Sequence, residues 1–177
     1  MPGEHSRIEK WRLFFAFWPT DSVRQAISDI NHKLAPRCGR PVSDLNLHLT
    51  LVFLGSLEKS RVDDLVAGVA DLRTERMTLQ LGNLQWWRSP RLIALLPDTV
   101  PGGLLHLHTD LTNLALGNGI PVDRRRYLPH VTLRRKVNSL PQWPPFTPVD
   151  WNLQKFSLVR SVTDPHRAQY EVIWQSR

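Results

Sequence analysis

The sequence predicts an α+β fold, from short apolar runs that read as strands, three segments with helical spacing, and a His-x-Thr-x pattern that occurs twice. The two copies are His48-Leu49-Thr50-Leu51 and His130-Val131-Thr132-Leu133, and each follows a helix-like stretch and a loop. Two pseudo-symmetric lobes of largely antiparallel sheet are therefore expected, with helices on the outside. Each lobe would contribute one equivalent strand to a central cleft. A chain of 177 residues is long enough for one such domain. Residues 1–10 read as a polar, flexible leader and 11–177 as the bilobal domain.

In chain order, Trp11-Arg12-Leu13-Phe14-Phe15-Ala16-Phe17 is short, aromatic and bulky, the pattern of a buried strand. Pro19-Thr20-Asp21-Ser22 supplies helix-start chemistry, and Val23, Ile27, Ile30 and Leu34 follow at helical spacing up to Pro36. Leu45 to Leu54 reads as the first histidine strand, ended by Gly55. Ser60 is placed to cap a second helix carrying Val62, Leu65, Val66, Val69 and Leu72. Met77 to Leu96 divides into two strands at Arg88-Ser89-Pro90. A third helix carries Leu104, Leu107, Leu111, Leu114 and Ala115 and stops at Gly117-Asn118-Gly119. The second histidine strand runs from about Pro129 to Arg135. A proline-rich connector, Pro141 to Pro148, leads to two last strands, roughly Leu153 to Val162 and Gln169 to Trp174.

Charge narrows the choice of partner. Lys and Arg number 23 against 16 Asp and Glu, a net charge of +7, and arginines cluster at 124–126 and 134–135. A planar guanidinium grips phosphate bidentately, so this balance suits a polyanion, although a solvated basic surface reads the same way. Cys38 is the only cysteine, which excludes an intrachain disulfide and a cysteine-built zinc site and fits a reducing cytoplasm. The leader lacks the apolar core of a secretory signal, and no apolar run approaches the roughly 20 residues that span a bilayer. A soluble, cytoplasmic monomer is expected, with no membrane association.

The repeated motif carries chemistry because strand side chains alternate faces. His48 and Thr50 share one face and Leu47, Leu49, Leu51 and Phe53 the other; His130 and Thr132 repeat the pattern against Val131 and Leu133. A single His-Thr pair is more often a satisfied core histidine, but two copies in matching contexts reverse that preference. Opening a cyclic phosphodiester needs a base for water and an acid for the departing sugar oxygen. Imidazole, with an unperturbed pKa of about 6.5, serves either role near neutrality. The threonine hydroxyls can hydrogen-bond the non-bridging phosphate oxygens, whose charge grows in the transition state. Neither a metal nor any other cofactor is then needed.

The paired motifs, their separation, Arg12-Leu13-Phe14-Phe15-Ala16 and Trp87-Arg88-Ser89 together resemble the two-histidine (2H) phosphoesterase superfamily. The nearest likeness is to its bacterial RNA 2′,3′-cyclic phosphodiesterase, or 2′-5′ RNA ligase, family. The resemblance spans about Arg12 to Trp174. It implies hydrolysis of terminal 2′,3′-cyclic phosphate to a 2′-phosphate, reversible 2′-5′ ligation, and RNA ends such as tRNA halves as partners. Carried over residue by residue, it makes His48 and His130 catalytic, with Thr50 and Thr132 as phosphate donors. The phosphate-binding arginine five positions after the second histidine becomes Arg135. Strict alternation instead puts Arg134 on the His130 face, and both readings stay open, since a bulge after Leu133 would turn Arg135 inward. His48 is taken as the acid and His130 as the base, an assignment that near-symmetric motifs do not themselves distinguish. Trp18-Pro19 departs from the family, where smaller residues are usual, and is expected to reshape the cleft mouth.

Other residues are weaker candidates. Phe14 or Phe15, and Trp86 or Trp87, can offer at most one ring of each pair to a base, with core packing the preferred reading for each; Arg126 ends a basic run that reads equally as an RNA-backbone contact or a solvated charge run. His106 and His108 lie two apart on a helix, about 200° around its axis, too far to share an ion; a solvated or capping role is expected. His5 and His32 carry no specific signal; His166 follows Asp164-Pro165 in a turn, where exposure is expected over a substrate contact. Two rivals remain: a hydrolase of small nucleotide cyclic phosphates, and an RNA-binding module whose histidines contact phosphate without turnover.

Overall fold

A computed structural model describes residues 8–163 and 168–177. Nine strands and three α-helices occur among these residues, in the order β1 (Lys10–Phe17), α1 (Asp21–Lys33), β2 (Arg40–Pro41), β3 (Leu49–Glu58), α2 (Val62–Val69), β4 (Met77–Trp87), β5 (Leu92–Pro97), α3 (Gly102–Gly117), β6 (Val131–Arg135), β7 (Val149–Leu153), β8 (Phe156–Thr163) and β9 (Ala168–Gln175). The strands form one sheet in the order β7-β4-β5-β6-β3-β1-β8-β9, with β2 attached to β6. Every described pairing is antiparallel. Each half of the path has four strands, and the halves meet where Leu49 on β3 faces Val131 on β6. No helix is long and apolar enough to cross a membrane.

Periodicity explains why the sheet is covered on both faces. On β1, Leu13, Phe15 and Phe17 join the main core with Ile27 and Ile30 of α1, while the alternate residues Phe14 and Ala16 pack with Val159 on the other face. On β5, Ile93 and Leu95 face the main core, and Leu92, Ala94 and Leu96 form a second small cluster with Trp87. Strands buried on both sides read as continuous apolar runs, which is how FFAF and LIALL appear in the sequence. Each such side chain taken fully out of water contributes about 1.5–3 kcal/mol. Leu65 and Val69 of α2, and Leu104, Leu107 and Leu111 of α3, bury their stripes against the main core.

Several boundaries differ from the sequence reading. Both histidines stand just ahead of their strands, because Asp44–Asn46 forms a 3-10 turn and β6 starts at Val131. Gly55 does not end β3; its φ of +75° accommodates a register shift, and the strand continues to Glu58. Ser60 lies in a 3-10 turn, Lys59–Arg61, and makes no side-chain cap to α2, while Leu72 lies past that helix. The end of the chain forms three strands, β7 to β9, where two were expected. Two residues expected in the leader take part in the fold: the Glu9 carboxylate accepts bonds from Trp11 Nε1 (2.7 Å) and Lys59 Nζ (3.2 Å), and β1 starts at Lys10. The rest of the leader, with His5, and also His166, lies outside the described residues.

Candidate active site

The two motifs are held in the same way. His48 Nδ1 lies 2.7 Å from the Asn46 carbonyl, and His130 Nδ1 lies 2.7 Å from the Leu128 carbonyl, two residues back in each case. A carbonyl oxygen only accepts, so Nδ1 carries the proton in both rings and Nε2 is left for chemistry. His48, Thr50, His130, Thr132 and Arg135 line one cavity of about 420 Å³.

The strands explain which neighbours join them. Opposite β1, Phe15 pairs with Val52 and Ala16 with Thr50, so Leu51 is an extra residue on β3. Opposite β5, Ile93 pairs with Arg134 and Ala94 with Thr132, so Leu133 is an extra residue on β6. Each strand thus bulges directly after its motif threonine. A bulge puts two successive side chains on one face and reverses the alternation beyond it. Leu51 and Val52 are both buried, as are Leu133 and Arg134. Arg135 and Phe53 then emerge into the cavity.

This resolves the arginine register. Arg134, offered by strict alternation, is 5% exposed and points away from the cavity. Its guanidinium donates to Asn31 Oδ1 (3.0 Å) and to the carbonyls of Asn31 (2.8 Å), Leu34 (3.1 Å) and Ala35 (3.3 Å), at the carboxyl end of α1. The expected place of Phe53 on the core face is corrected by the same geometry: it is 42% exposed and stacks on Phe14 at 6.0 Å. Gly39 supports the Arg135 backbone from β2's side, where a Cβ would stand 2.5 Å from the Arg135 carbonyl oxygen.

The bulge on β3 exposes carbonyls that two side chains satisfy. Tyr127 Oη donates to the Thr50 carbonyl (3.0 Å), and His108 Nδ1 donates to that of Leu51 (2.9 Å). Their rings stack at 4.0 Å. His108 is therefore a strand-holding residue from α3, neither solvated nor a helix cap, while His106 is exposed.

The two imidazoles differ in surroundings. His48 stacks on Trp18 (5.1 Å, 4°) and touches Phe14 (5.1 Å) and Tyr170 (5.2 Å, edge-on). Burial pushes its pKa down to about 4, helped by the charges of Arg135 and His130 and opposed by the Asn46 bond. His130 meets Trp87 at 4.6 Å. Burial lowers its pKa as well, with Arg135 adding to the effect and the Leu128 bond opposing it.

Of the other candidates, both Phe14 and Phe15 are buried: Phe14 lies on the cavity side of the sheet, whereas Phe15 sits in the main core and has no access to a ligand. Trp87 lies against His130, and Trp86 packs on the core beneath Arg88. Arg126 is exposed and is not among the described residues lining the cavity. Arg12, Ser161 and Tyr170 do line it, although the sequence reading passed over them as site residues. The signal available for Arg12 was its place two residues before Phe14, on the same face of β1. Among the described residues, no group of three His, Cys, Asp or Glu could hold a metal ion.

Fold and cleft together define a two-histidine phosphoesterase. Comparison with known proteins gives the family: its model, described as LigT-like phosphoesterase, matches residues 18–95. The RNA 2′,3′-cyclic phosphodiesterase of Escherichia coli is 36% identical over 140 residues, covering 77% of this chain and 78% of that protein. The enzyme of the same name from Thermus thermophilus is 31% identical over 175 residues, covering 92% and 87%. The crystal structure of E. coli LigT complexed with 3′-AMP superposes with a TM-score of 0.88 at 30% identity, covering 94% of this chain and 97% of that one. The chain belongs to the LigT-like phosphoesterase family.

Proposed function

We propose that the chain opens 2′,3′-cyclic phosphate at RNA ends to a 2′-phosphate, by acid–base catalysis shared between His48 and His130. The observation that carries this reading is the matched pair of Nδ1–carbonyl bonds, which leave two Nε2 atoms in one cavity with two hydroxyls and a guanidinium. Water attacks phosphorus as His130 Nε2 takes its proton. The bond from phosphorus to the 3′-oxygen breaks, and His48 Nε2 donates a proton to that oxygen, giving a 3′-hydroxyl. Thr50, Thr132 and Arg135 hold the non-bridging oxygens as their charge grows. The phosphate anion and the ring faces of Trp18 and Phe14 favour the protonated form of His48, so substrate loads the acid that burial otherwise keeps neutral. A 5′-hydroxyl in place of water would give a 2′-5′ phosphodiester by the same steps.

Two imidazoles supply both proton transfers, so the reaction has no step for a metal to perform. The purified protein, incubated with an oligonucleotide ending in 2′,3′-cyclic phosphate and excess EDTA, should release the 2′-phosphate product at an undiminished rate. A 3′-phosphate product, or activity lost in EDTA and restored by a divalent ion, would overturn the mechanism.

A further inference from the structure

Of the three cavity-facing positions in each half-site, two agree and one does not. His48 matches His130, Thr50 matches Thr132, and the bulges that follow bring Phe53 and Arg135 to equivalent places on the cavity face. One half therefore has a guanidinium where the other has an aromatic ring. A second guanidinium is nevertheless present, because Arg12 from β1 lies over the Phe53 ring, 4.9 Å from its centroid. Arg12 lines the cavity together with Ser161, its register partner on β8.

Position separates the two arginines. Arg135 acts electrostatically on both imidazoles, as expected of the group that meets the reacting phosphate. Arg12 is four residues along β1 from Ala16, the register partner of Thr50, a backbone distance of about 13 Å. Between them lies the Phe53 ring, 42% exposed and backed by the buried Phe14 ring, which stacks on it within 8° of parallel. Among the described residues, no carboxylate forms an ion pair with Arg12. Its planar donors are steered by the ring and remain available to a ligand. The cleft thus presents a cation, an aromatic floor and a second cation in line. A phosphate, a nucleoside and the preceding phosphate follow one another in the same order.

We infer that Arg12 binds the phosphodiester on the 5′ side of the terminal nucleotide, and so makes the enzyme select an RNA end over a free nucleoside 2′,3′-cyclic phosphate. This rests on the cyclic-phosphate reading above. Three substrates test it: adenosine 2′,3′-cyclic phosphate, a dinucleotide ending in 2′,3′-cyclic phosphate, and that dinucleotide with an uncharged methylphosphonate linkage. The wild-type enzyme should prefer the charged dinucleotide. Arg12→Gln should lower the ratio of kcat/KM for dinucleotide over mononucleotide about tenfold, mainly through KM. Neutralising the linkage should cost the wild type a similar factor and cost Arg12→Gln little, a comparison that does not depend on how well the variant folds. An unchanged ratio in Arg12→Gln, or equal turnover of charged and neutral linkages by the wild type, would overturn the inference while leaving the active-site reading intact. Failure of the wild type to open any of the three would instead remove the reading on which it rests.

Discussion

At the scale of single residues, burial decides the charge state of His48. Its ring lies among Trp18, Phe14 and Tyr170, and its pKa falls to about 4. The unfolded chain would titrate near 6.5. As pH drops, the unfolded state takes up this proton first, which favours unfolding. The contribution is fully present above about 6.5 and is lost as pH falls toward 4. The loss across that window amounts to roughly 3 kcal/mol at most. His48→Asn should flatten this part of the stability profile, which thermal unfolding of both proteins at several pH values would show. Parallel losses in wild type and variant would mean that His48 is not desolvated as described. The sequence shows the His-Thr pairs themselves, because alternation over two residues is short enough to survive local irregularity. It does not show the aromatic surround: Trp18 follows β1, Tyr170 belongs to β9, and only tertiary packing brings them to the histidine.

At the scale of elements, the bulge is what makes each motif strand serve two purposes. Before it, His and Thr face the cavity; after it, one residue enters the core and the next returns to the cavity. Arg134 and Arg135 are adjacent in sequence and face opposite sides of the strand for this reason. Arg134 collects the orphan carbonyls at the end of α1, where a cation also meets the favourable end of the helix dipole. Arg134→Ala should cost roughly 2–4 kcal/mol of stability, since it strands buried acceptors. Arg135→Ala should leave stability nearly unchanged and raise KM for the cyclic phosphate. Urea denaturation and steady-state kinetics on both variants would separate the effects, and a reversed pattern would restore strict alternation. The bulge could not be read from composition, but one sign of it was present. Asn31 falls on the apolar stripe of α1 between Ile30 and Leu34, fully buried, and a buried amide needs a polar partner such as Arg134. Pairing that requirement with a core-side arginine would have placed Arg134 without the family resemblance.

At the scale of the molecule, the repeat 82 residues apart foretold the architecture, because two like strands meeting at the sheet's midline bring like residues together. The sheet path has four strands on each side of the β6–β3 seam, and each half supplies one imidazole. In the proposed mechanism neither half holds both the acid and the base, so proton transfer would need both halves of the chain. This division predicts how substitutions combine. His48→Ala removes one proton transfer and His130→Ala the other, and each should lower kcat by roughly 10² to 10⁴. Both transfers serve the same displacement at phosphorus, so losing the second gains no further penalty of its own size. The double variant should therefore fall only slightly below the worse single variant, as groups that act as a unit do. Substrate affinity, measured by equilibrium binding of a non-hydrolysable oligonucleotide end, should survive in all three, because Thr50, Thr132 and Arg135 remain. Multiplicative losses in kcat would mean that the histidines act in separate steps. Turnover near wild type in all three would make the cleft a binding site without catalysis.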